Sequence, residues 1–268
     1  DRIMTPLRRV GARGEGKFEP ITWDEAYDEI VTRLNKVKQD YGPCSVAFYS
    51  GYNKWYRPFL QRLCYDFGSV NYGTESSSCF TSTIMSWRLA TGADFAAPDL
   101  RNAGIFLGWC YNAYYAQHLM IGGVDKARER GMKVIIVDPR ITPAVEKQCD
   151  LHLRIKPGTD CALALGLARE LIINNWVDHD YIEKNVYGYE QYKQYVMDFP
   201  PERVEQLTDV PADQIRLAAR MIHENMPLAI NQSGAALVHH TNGMQTHRAV
   251  MALSALMGTY DRPGGMVP

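Results

Sequence analysis

Three short segments carry residue types and spacings able to do chemistry. The polar run Asn71-Tyr72-Gly73-Thr74-Glu75-Ser76-Ser77-Ser78-Cys79 ends in a thiol. A thiolate is a soft ligand suited to a heavy metal, and a position near a helix start favours that form. Val137-Asp138-Pro139-Arg140 sets a carboxylate beside a guanidinium directly after an apolar run. Such a pair can accept from a ribose or base and hold a phosphate. Lys156-Pro157-Gly158-Thr159-Asp160 precedes a helical pattern, where Gly158-Thr159 can turn backbone amides toward an anion. Each segment also has an ordinary reading. Ser-rich loops are mostly solvated turns, a lone cysteine is mostly a packed small hydrophobe, and many strand-to-helix turns hold nothing. The polar loop from Gly108 to Gln117 adds a third such turn, and the three turns together favour a nucleotide.

Other chemistries are absent from the sequence. Gly11-Ala12-Arg13-Gly14-Glu15-Gly16 has the wrong spacing for a dinucleotide fingerprint and no strand before it. There is no P-loop and no Gly-x-Ser-x-Gly nucleophile elbow. The six cysteines, Cys44, Cys64, Cys79, Cys110, Cys149 and Cys161, form no C-x-x-C pair, which excludes a zinc ribbon and a dithiol redox motif. His239, His240 and His247 cluster without nearby cysteine or carboxylate partners, so they read as polar residues lining a cleft or helix start.

The elements that must position these residues alternate between strand and helix. Thr22-Trp23-Asp24-Glu25 is a capping box opening a helix to about Asp40. Ser45 to Tyr49 reads as a short strand and Trp55 to Phe67 as a helix ended by Gly68. Ala103 to Leu107 and Lys133 to Val137 read as buried parallel strands joined by a helix from His118 to Arg130. A third strand, Leu151 to Ile155, leads to a helix from about Cys161 to Ile173, capped by Thr159 or Asp160. Helical stretches follow through 178–198 and from Pro211 to Glu224. Leu228 to Asn231 is a strand running into Gln232-Ser233-Gly234, and the last helix spans about Asn242 to Met257. The fold class is therefore α/β, with mostly parallel sheets flanked by helices.

Composition sets the outer limits. With 268 residues and 46% hydrophobic content the chain can bury a sizeable core. Its 29 basic and 30 acidic residues give a net charge of −1, which offers nucleic acid no electrostatic footprint. No apolar run approaches the roughly 20 residues needed to cross a bilayer, so direct membrane insertion is not expected. No signal peptide is visible, and Asp1 is an implausible native start, so the sequence reads as an excised segment.

Taken in order, these segments resemble the dimethyl sulfoxide reductase family of molybdopterin oxidoreductases. Thr5-Pro6-Leu7-Arg8-Arg9-Val10-Gly11, Arg13-Gly14-Glu15-Gly16-Lys17-Phe18 and Ile21-Thr22-Trp23-Asp24-Glu25-Ala26 look like the lead-in after that family's N-terminal iron–sulfur segment. Val137-Asp138-Pro139-Arg140 and Pro157-Gly158-Thr159-Asp160-Cys161-Ala162-Leu163 are similar to its two guanine-dinucleotide motifs. The stretch from Asn242-Gly243 through Leu256-Met257-Gly258 to Pro263-Gly264-Gly265 is a further match.

The resemblance implies a molybdenum or tungsten bis-molybdopterin guanine dinucleotide cofactor, which carries the two-electron or oxygen-atom transfer chemistry. It assigns the metal to Cys79, with Ser76 as the alternative ligand. Asp138, Arg140, Gly158, Thr159 and Asp160 are implied to hold one guanine nucleotide. Asn112 belongs to the family's W-G-x-N-P loop, Gly108 just before that loop is a further cofactor-binding candidate, and Gln232, Ser233 and Gly234 approach the other cofactor half. That loop is Trp109-Cys110-Tyr111-Asn112-Ala113 here, with Cys for Gly and Ala for Pro, which puts its backbone path in question. Trp87, His118 and Glu75 are candidates to line the substrate route.

The family pattern further implies a discontinuous α/β domain of residues 1–78 plus 230–268, interrupted by a dinucleotide-binding-like domain of 79–229. It implies a [4Fe–4S] cluster in a segment before Asp1, an iron–sulfur electron-transfer subunit, possible association with a membrane-anchor subunit, a small-molecule substrate and anaerobic respiration. Little activity is expected of the 268 residues alone. Relatives are bacterial or archaeal and either exported folded or cytoplasmic, so no location follows. Two other readings stay open from the residues: a nicotinamide-dependent dehydrogenase, weakened by the missing glycine fingerprint, and a non-redox member or binding scaffold of the same fold.

Overall fold

The computed structural model describes residues 2–268, the side chains of Ser77 and Ser78 excepted. By internal contact the chain divides into two compact units, Asp1–Ser77 and Ser78–Pro268.

The first unit opens with an antiparallel hairpin of β1 (Leu7–Arg9) and β2 (Phe18–Pro20), with Leu7 opposite Pro20. The glycines at 14 and 16 take positive φ in its turn, so the Gly-containing run belongs to a hairpin. The capping box forms as the residues require. Glu25 N donates to Thr22 Oγ1 (3.2 Å) and Thr22 N donates to Glu25 Oε2 (2.7 Å), starting α1 (Trp23–Tyr41). Pro43-Cys44-Ser45 make a single tight turn, which delays the next strand to β3 (Phe48–Ser50). Helix α2 (Arg57–Phe67) ends on left-handed Gly68 and returns the chain to β4 (Tyr72–Thr74), parallel to β3. Phe48 and Cys64 are buried here, with Phe67 edge-on to Phe48 at 5.6 Å. Helix α1 buries no residue, and its Trp23, Tyr27, Ile30 and Val31 are exposed.

The second unit runs α3 (Thr81–Thr91), β5 (Ala97–Pro98), β6 (Ile105–Trp109), α4 (Ala113–Ala116), α5 (His118–Glu129) and β7 (Lys133–Val137). It continues α6 (Pro143–Gln148), β8 (Leu151–Leu153), α7 (Asp160–Ile173), α8 (His179–Asn185), α9 (Tyr189–Val196) and α10 (Pro201–Thr208). Helix α11 (Ala212–Glu224), β9 (Leu228–Gln232), α12 (Gly243–Leu256) and β10 (Met266–Val267) complete it. Four strands form one parallel sheet in the order β8-β7-β6-β9.

Because side chains alternate along a strand, the continuous apolar runs supply both faces. Ile105, Leu107, Trp109, Ile135, Val137, Leu228 and Ile230 join the core under α7, α11 and α12. Phe106, Val134, Ile136 and Ala229 pack with Val124 and Ala127 of α5 and Ala144 of α6 on the other face. Helices thus cover both sides, the α/β class read from the sequence. Trp87 belongs to the first of these clusters, stacked on Tyr260 at 6.1 Å, while His118 is exposed at the start of α5. Among the described residues, no helix is long and apolar enough to cross a membrane.

Candidate functional site

All four strands of the main sheet point the same way, so their carboxyl ends share one edge. In chain order they are first (β6), second (β7), third (β8) and fourth (β9), and the first lies beside the fourth. That reversal of strand order marks the carboxyl ends of β6 and β9 as the place where open α/β sheets form a ligand crevice. The segments after these strands are Cys110–Asn112, Asp138–Arg140, Arg154–Asp160 and Ser233–Asn242, so nearly every site residue expected from the sequence reaches this edge.

The loop after β6 follows an unusual path. Cys110 sits at φ 53°, the left-handed region that glycine occupies without strain, and its N–H donates to Val137 O at 2.7 Å. Ala113 is the first residue of α4, a position that proline also suits. The Gly-to-Cys and Pro-to-Ala departures therefore leave intact a backbone course that glycine and proline would favour. Burial, with Asp160 and Asp138 nearby, pushes the Cys110 thiol well above its ordinary range, so it stays a protonated packing group. Gly108 lies inside β6, and a Cβ there would meet Tyr111 Cβ at 2.7 Å. Its smallness serves the fold-back of its own loop. Asn112 Oδ1 is buried without a hydrogen-bond partner among the described residues.

Asp138 and Asp160 are both buried at this edge. Burial raises the Asp138 carboxyl above the usual carboxylate range, opposed by the Arg140 amide, which donates to its Oδ1 at 2.8 Å. The Arg140 side chain is exposed and has no ion-pair partner among the described residues. Asp160 Oδ1 accepts from Trp109 Nε1 at 2.8 Å, tying the first turn of α7 to the end of β6. Thr159 occupies the N-cap of α7 but does not cap with its side chain; its hydroxyl donates to Lys156 O at 2.7 Å. The backbone amides of Gly158, Asp160 and Cys161 therefore keep no protein acceptor among the described residues. Gly158 has φ 83°, and a Cβ on it would meet nothing within 4 Å. Free amides at a helix start, an unpaired guanidinium and a recessed carboxylate fit an anionic nucleotide.

On the other side of the crevice, Gln232 ends β9, and Ser233 N donates to Trp109 O at 3.1 Å. Ser233 Oγ accepts from Ala236 N at 3.3 Å and so shapes its own turn. A Cβ on Gly234 would lie 2.8 Å from the Phe80 ring, which brings this loop against the residue following Cys79. Cys79 is a free, partly buried thiol two residues before α3. Ser76 belongs to the first unit, where its hydroxyl donates to Glu75 Oε1 at 3.2 Å. Glu75 is ion-paired to Arg57, which holds its carboxyl below the ordinary range. No three His, Cys, Asp or Glu side chains converge on a metal position among the described residues.

Three residues at this edge were given no role by the sequence. Trp109 clamps Asp160. His240 carries a buried Nε2 with no partner among the described residues, while its Nδ1 accepts from Asn242 N at 3.3 Å. His247 is fully buried and hydrogen-bonded through both ring nitrogens, and burial holds its pKa down at about 4. A histidine within the apolar stripe of α12 was the available signal. His239 is exposed. The buried, unpartnered atoms of Asn112 and His240 are what a bound polar group would satisfy.

Fold and site together define an α/β protein that gathers free helix-start amides, an exposed guanidinium and buried carboxylates at the carboxyl edge of a parallel sheet. Residues 2–268 match the family model for molybdopterin oxidoreductase. The chain is 31% identical over 268 residues to the thiosulfate reductase molybdopterin-containing subunit PhsA of Salmonella typhimurium, covering 99% of this chain and 35% of that protein. It is 32% identical over 302 residues to the dimethyl sulfoxide reductase DmsA of Escherichia coli, covering 99% and 37%. The solved acetylene hydratase from Pelobacter acetylenicus superposes with a TM-score of 0.80 at 29% identity, over 96% of this chain and 36% of that one. The chain belongs to the molybdopterin oxidoreductases of the dimethyl sulfoxide reductase family. It spans about a third of the length of these relatives. Family membership replaces the nicotinamide-dehydrogenase reading.

Proposed function

We propose that this chain is the cofactor-enclosing part of a molybdenum or tungsten oxidoreductase that binds bis-molybdopterin guanine dinucleotide. The observation that carries the reading is the shared carboxyl edge. Three unsatisfied amides at the start of α7, the unpaired Arg140 and the buried Asp138 and Asp160 lie on one side of the crevice, and Gln232–Gly234 lies on the other. Asp138 and Asp160 accept from one guanine nucleotide, and Arg140 with the amides of Gly158, Asp160 and Cys161, grouped around Thr159, takes its phosphates. Asn112 and Gln232-Ser233-Gly234 contact the cofactor where it crosses the crevice, with Gly108 keeping the first of these loops compact.

Cys79 supplies the metal's protein ligand. Among the described residues no group of three His, Cys, Asp or Glu converges on a metal position, which suits a thiol serving a metal whose other ligands are sulfurs of the cofactor. Ser76 is the weaker candidate because its hydroxyl is already donated to Glu75. When bound, the cofactor supplies two-electron or oxygen-atom transfer, while the chain's residues hold and orient it.

In the whole protein, residues 1–78 plus 230–268 contribute to a discontinuous domain around an inserted domain of 79–229. A [4Fe–4S] cluster before this segment and an iron–sulfur subunit would exchange electrons with the site, with a membrane-anchor subunit in a respiratory complex. Relatives named for thiosulfate and dimethyl sulfoxide reduction support an anaerobic respiratory role on a small-molecule acceptor. The likeness to acetylene hydratase supports a second reading, hydration without net electron transfer.

Full-length protein purified anaerobically should contain molybdenum or tungsten with about two guanine nucleotides per metal, the ratio of a bis-dinucleotide cofactor. Intact folded protein with neither would refute the reading. Turnover that requires an electron donor or acceptor separates reduction from hydration.

A further inference from the structure

His247 lies on the buried face of α12 with no accessible surface. Its Nδ1 is 2.5 Å from Gln232 Oε1, and its Nε2 is 3.1 Å from Thr83 Oγ1. Gln232 Oε1 can only accept, as can the Gly234 carbonyl that also bonds the ring, and a ring proton on Nδ1 is the tautomer that satisfies the Gln232 contact. Nε2 is then a lone pair, and the Thr83 hydroxyl donates to it. The two partners sit at opposite borders of the candidate site. Gln232 closes β9 at the crevice, and Thr83 stands in the first turn of α3, just beyond Cys79 and Phe80. With its Oε1 committed to the histidine, Gln232 keeps its amide N–H₂ as the free end. The described residues give that group no acceptor.

We propose that His247 is a positioning residue that fixes the amide of Gln232 as a hydrogen-bond donor to a lone-pair atom of the cofactor, a ring nitrogen or carbonyl oxygen, while pinning the Cys79 end of α3 to β9. The inference rests on the cofactor reading given above and adds a specific orientation to it. Without the histidine, the Gln232 amide can rotate and present its oxygen, a second acceptor facing an acceptor. Thr83 loses its partner at the same time, which frees the start of α3. One residue thus couples the orientation of a cofactor donor to the placement of the segment that carries the thiol.

The test uses full-length, anaerobically purified holoenzyme. His247→Phe keeps the ring volume and removes both hydrogen bonds. His247→Asn keeps a donor near the position of Nδ1. Gln232→Met removes the amide alone, and Thr83→Val removes the hydroxyl without changing shape. Three quantities are read: guanine nucleotide retained after repeated gel filtration, the electron paramagnetic resonance spectrum of the one-electron-reduced metal, and the melting temperature. Loss of one oriented hydrogen bond should speed cofactor loss about three- to tenfold in His247→Phe. Its metal spectrum should shift, and His247→Asn should restore much of both. Gln232→Met should reproduce the faster loss, and adding it to His247→Phe should produce no further change.

A loaded His247→Phe enzyme with wild-type spectrum and retention would overturn this inference alone, as would full additivity of the two substitutions. Should His247→Phe fail to fold, His247→Asn and Thr83→Val decide. An altered spectrum in Thr83→Val with near-normal retention in His247→Asn supports the coupling, and no change in the first overturns it. A wild-type protein without cofactor overturns the cofactor reading itself, a separate and recognisable result.

Discussion

Replacing Asp160 separates what holds the fold from what holds the ligand. Its Oδ1 accepts from the fully buried Trp109 Nε1 at 2.8 Å, and Asp160 itself is only 4% exposed. Asp160→Ala leaves the indole N–H buried without an acceptor. A hydrogen bond to a charged group contributes about 1.5–3 kcal/mol, and an orphaned buried donor costs a similar amount. Asp160→Asn keeps an oxygen for the indole and exchanges a charge-assisted bond for a neutral one, a loss of about 1 kcal/mol. For a unit of this size each kcal/mol lowers the melting temperature by about 2–4 °C. Cofactor-free protein should therefore melt about 2–4 °C lower as Asp160→Asn and about 3–12 °C lower as Asp160→Ala. Guanine nucleotide content should follow a different order, because both substitutions remove the carboxylate and both should load poorly. Thermal denaturation of the apo proteins beside nucleotide analysis of the anaerobically purified forms reads both effects. Equal melting of the two variants, or normal loading of Asp160→Asn, would refute this division of labour.

Three further outcomes follow from buried groups and close contacts. His247 titrates near 6.5 when unfolded and at about 4 when folded, lowered by burial, so its stabilisation is present above pH 6.5 and is lost as pH falls toward 4. Apo stability should drop by about 3 kcal/mol over that window, and His247→Phe should remove this part of the slope in a pH series of denaturant melts. Asp138 has the opposite sign. Its folded pKa is raised by burial, so its favourable contribution is complete below the ordinary aspartate range and is lost as pH rises through the folded value. Asp138→Asn, which keeps the acceptor for Arg140 N, should thus stabilise apo protein at pH 7 but not at low pH, while lowering nucleotide content; destabilisation at pH 7 would contradict this. A methyl at Gly104 would stand 2.4 Å from Asn225 O, whereas one at exposed Gly122 in α5 meets nothing within 4 Å. Gly104→Ala should cost about 1–3 kcal/mol and Gly122→Ala should gain about 0.5–1 kcal/mol, as read by denaturation midpoints.

Much of the second unit was legible because its strands are continuous apolar runs with sharp ends. Lys133–Val137 and Leu228–Gln232 could be placed nearly to the residue, and Asp138 at a strand tip marked the ligand edge before any strand order was known. Caps were equally readable, since Thr22 and Glu25 satisfy each other locally. What the residues could not disclose depends on contacts between distant segments. Gly108 reads as a ligand-approach glycine, yet the atom it makes room for is Tyr111 Cβ. The left-handed Cys110 defies residue preference, and its course is visible only through the bond to Val137 O. Thr159 looks like a cap but turns its hydroxyl back to Lys156, leaving the α7 amides open. Gly11 to Gly16 has no strand before it that sequence periodicity would detect, because β1 and β2 are three residues each. His247 looked like one of three polar histidines until burial singled it out.

The central claim is that this edge holds the guanine dinucleotide and that Cys79 reaches its metal. Diffraction from anaerobically grown crystals of the full-length protein, collected at the molybdenum and tungsten absorption edges, tests both at once. The account predicts an anomalous peak that changes across the metal's edge within bonding distance of Cys79 Sγ, and density for one guanine against Asp138, Asp160 and the free amides at the start of α7. A peak bonded to Ser76, or the absence of any guanine density at that edge, would contradict it.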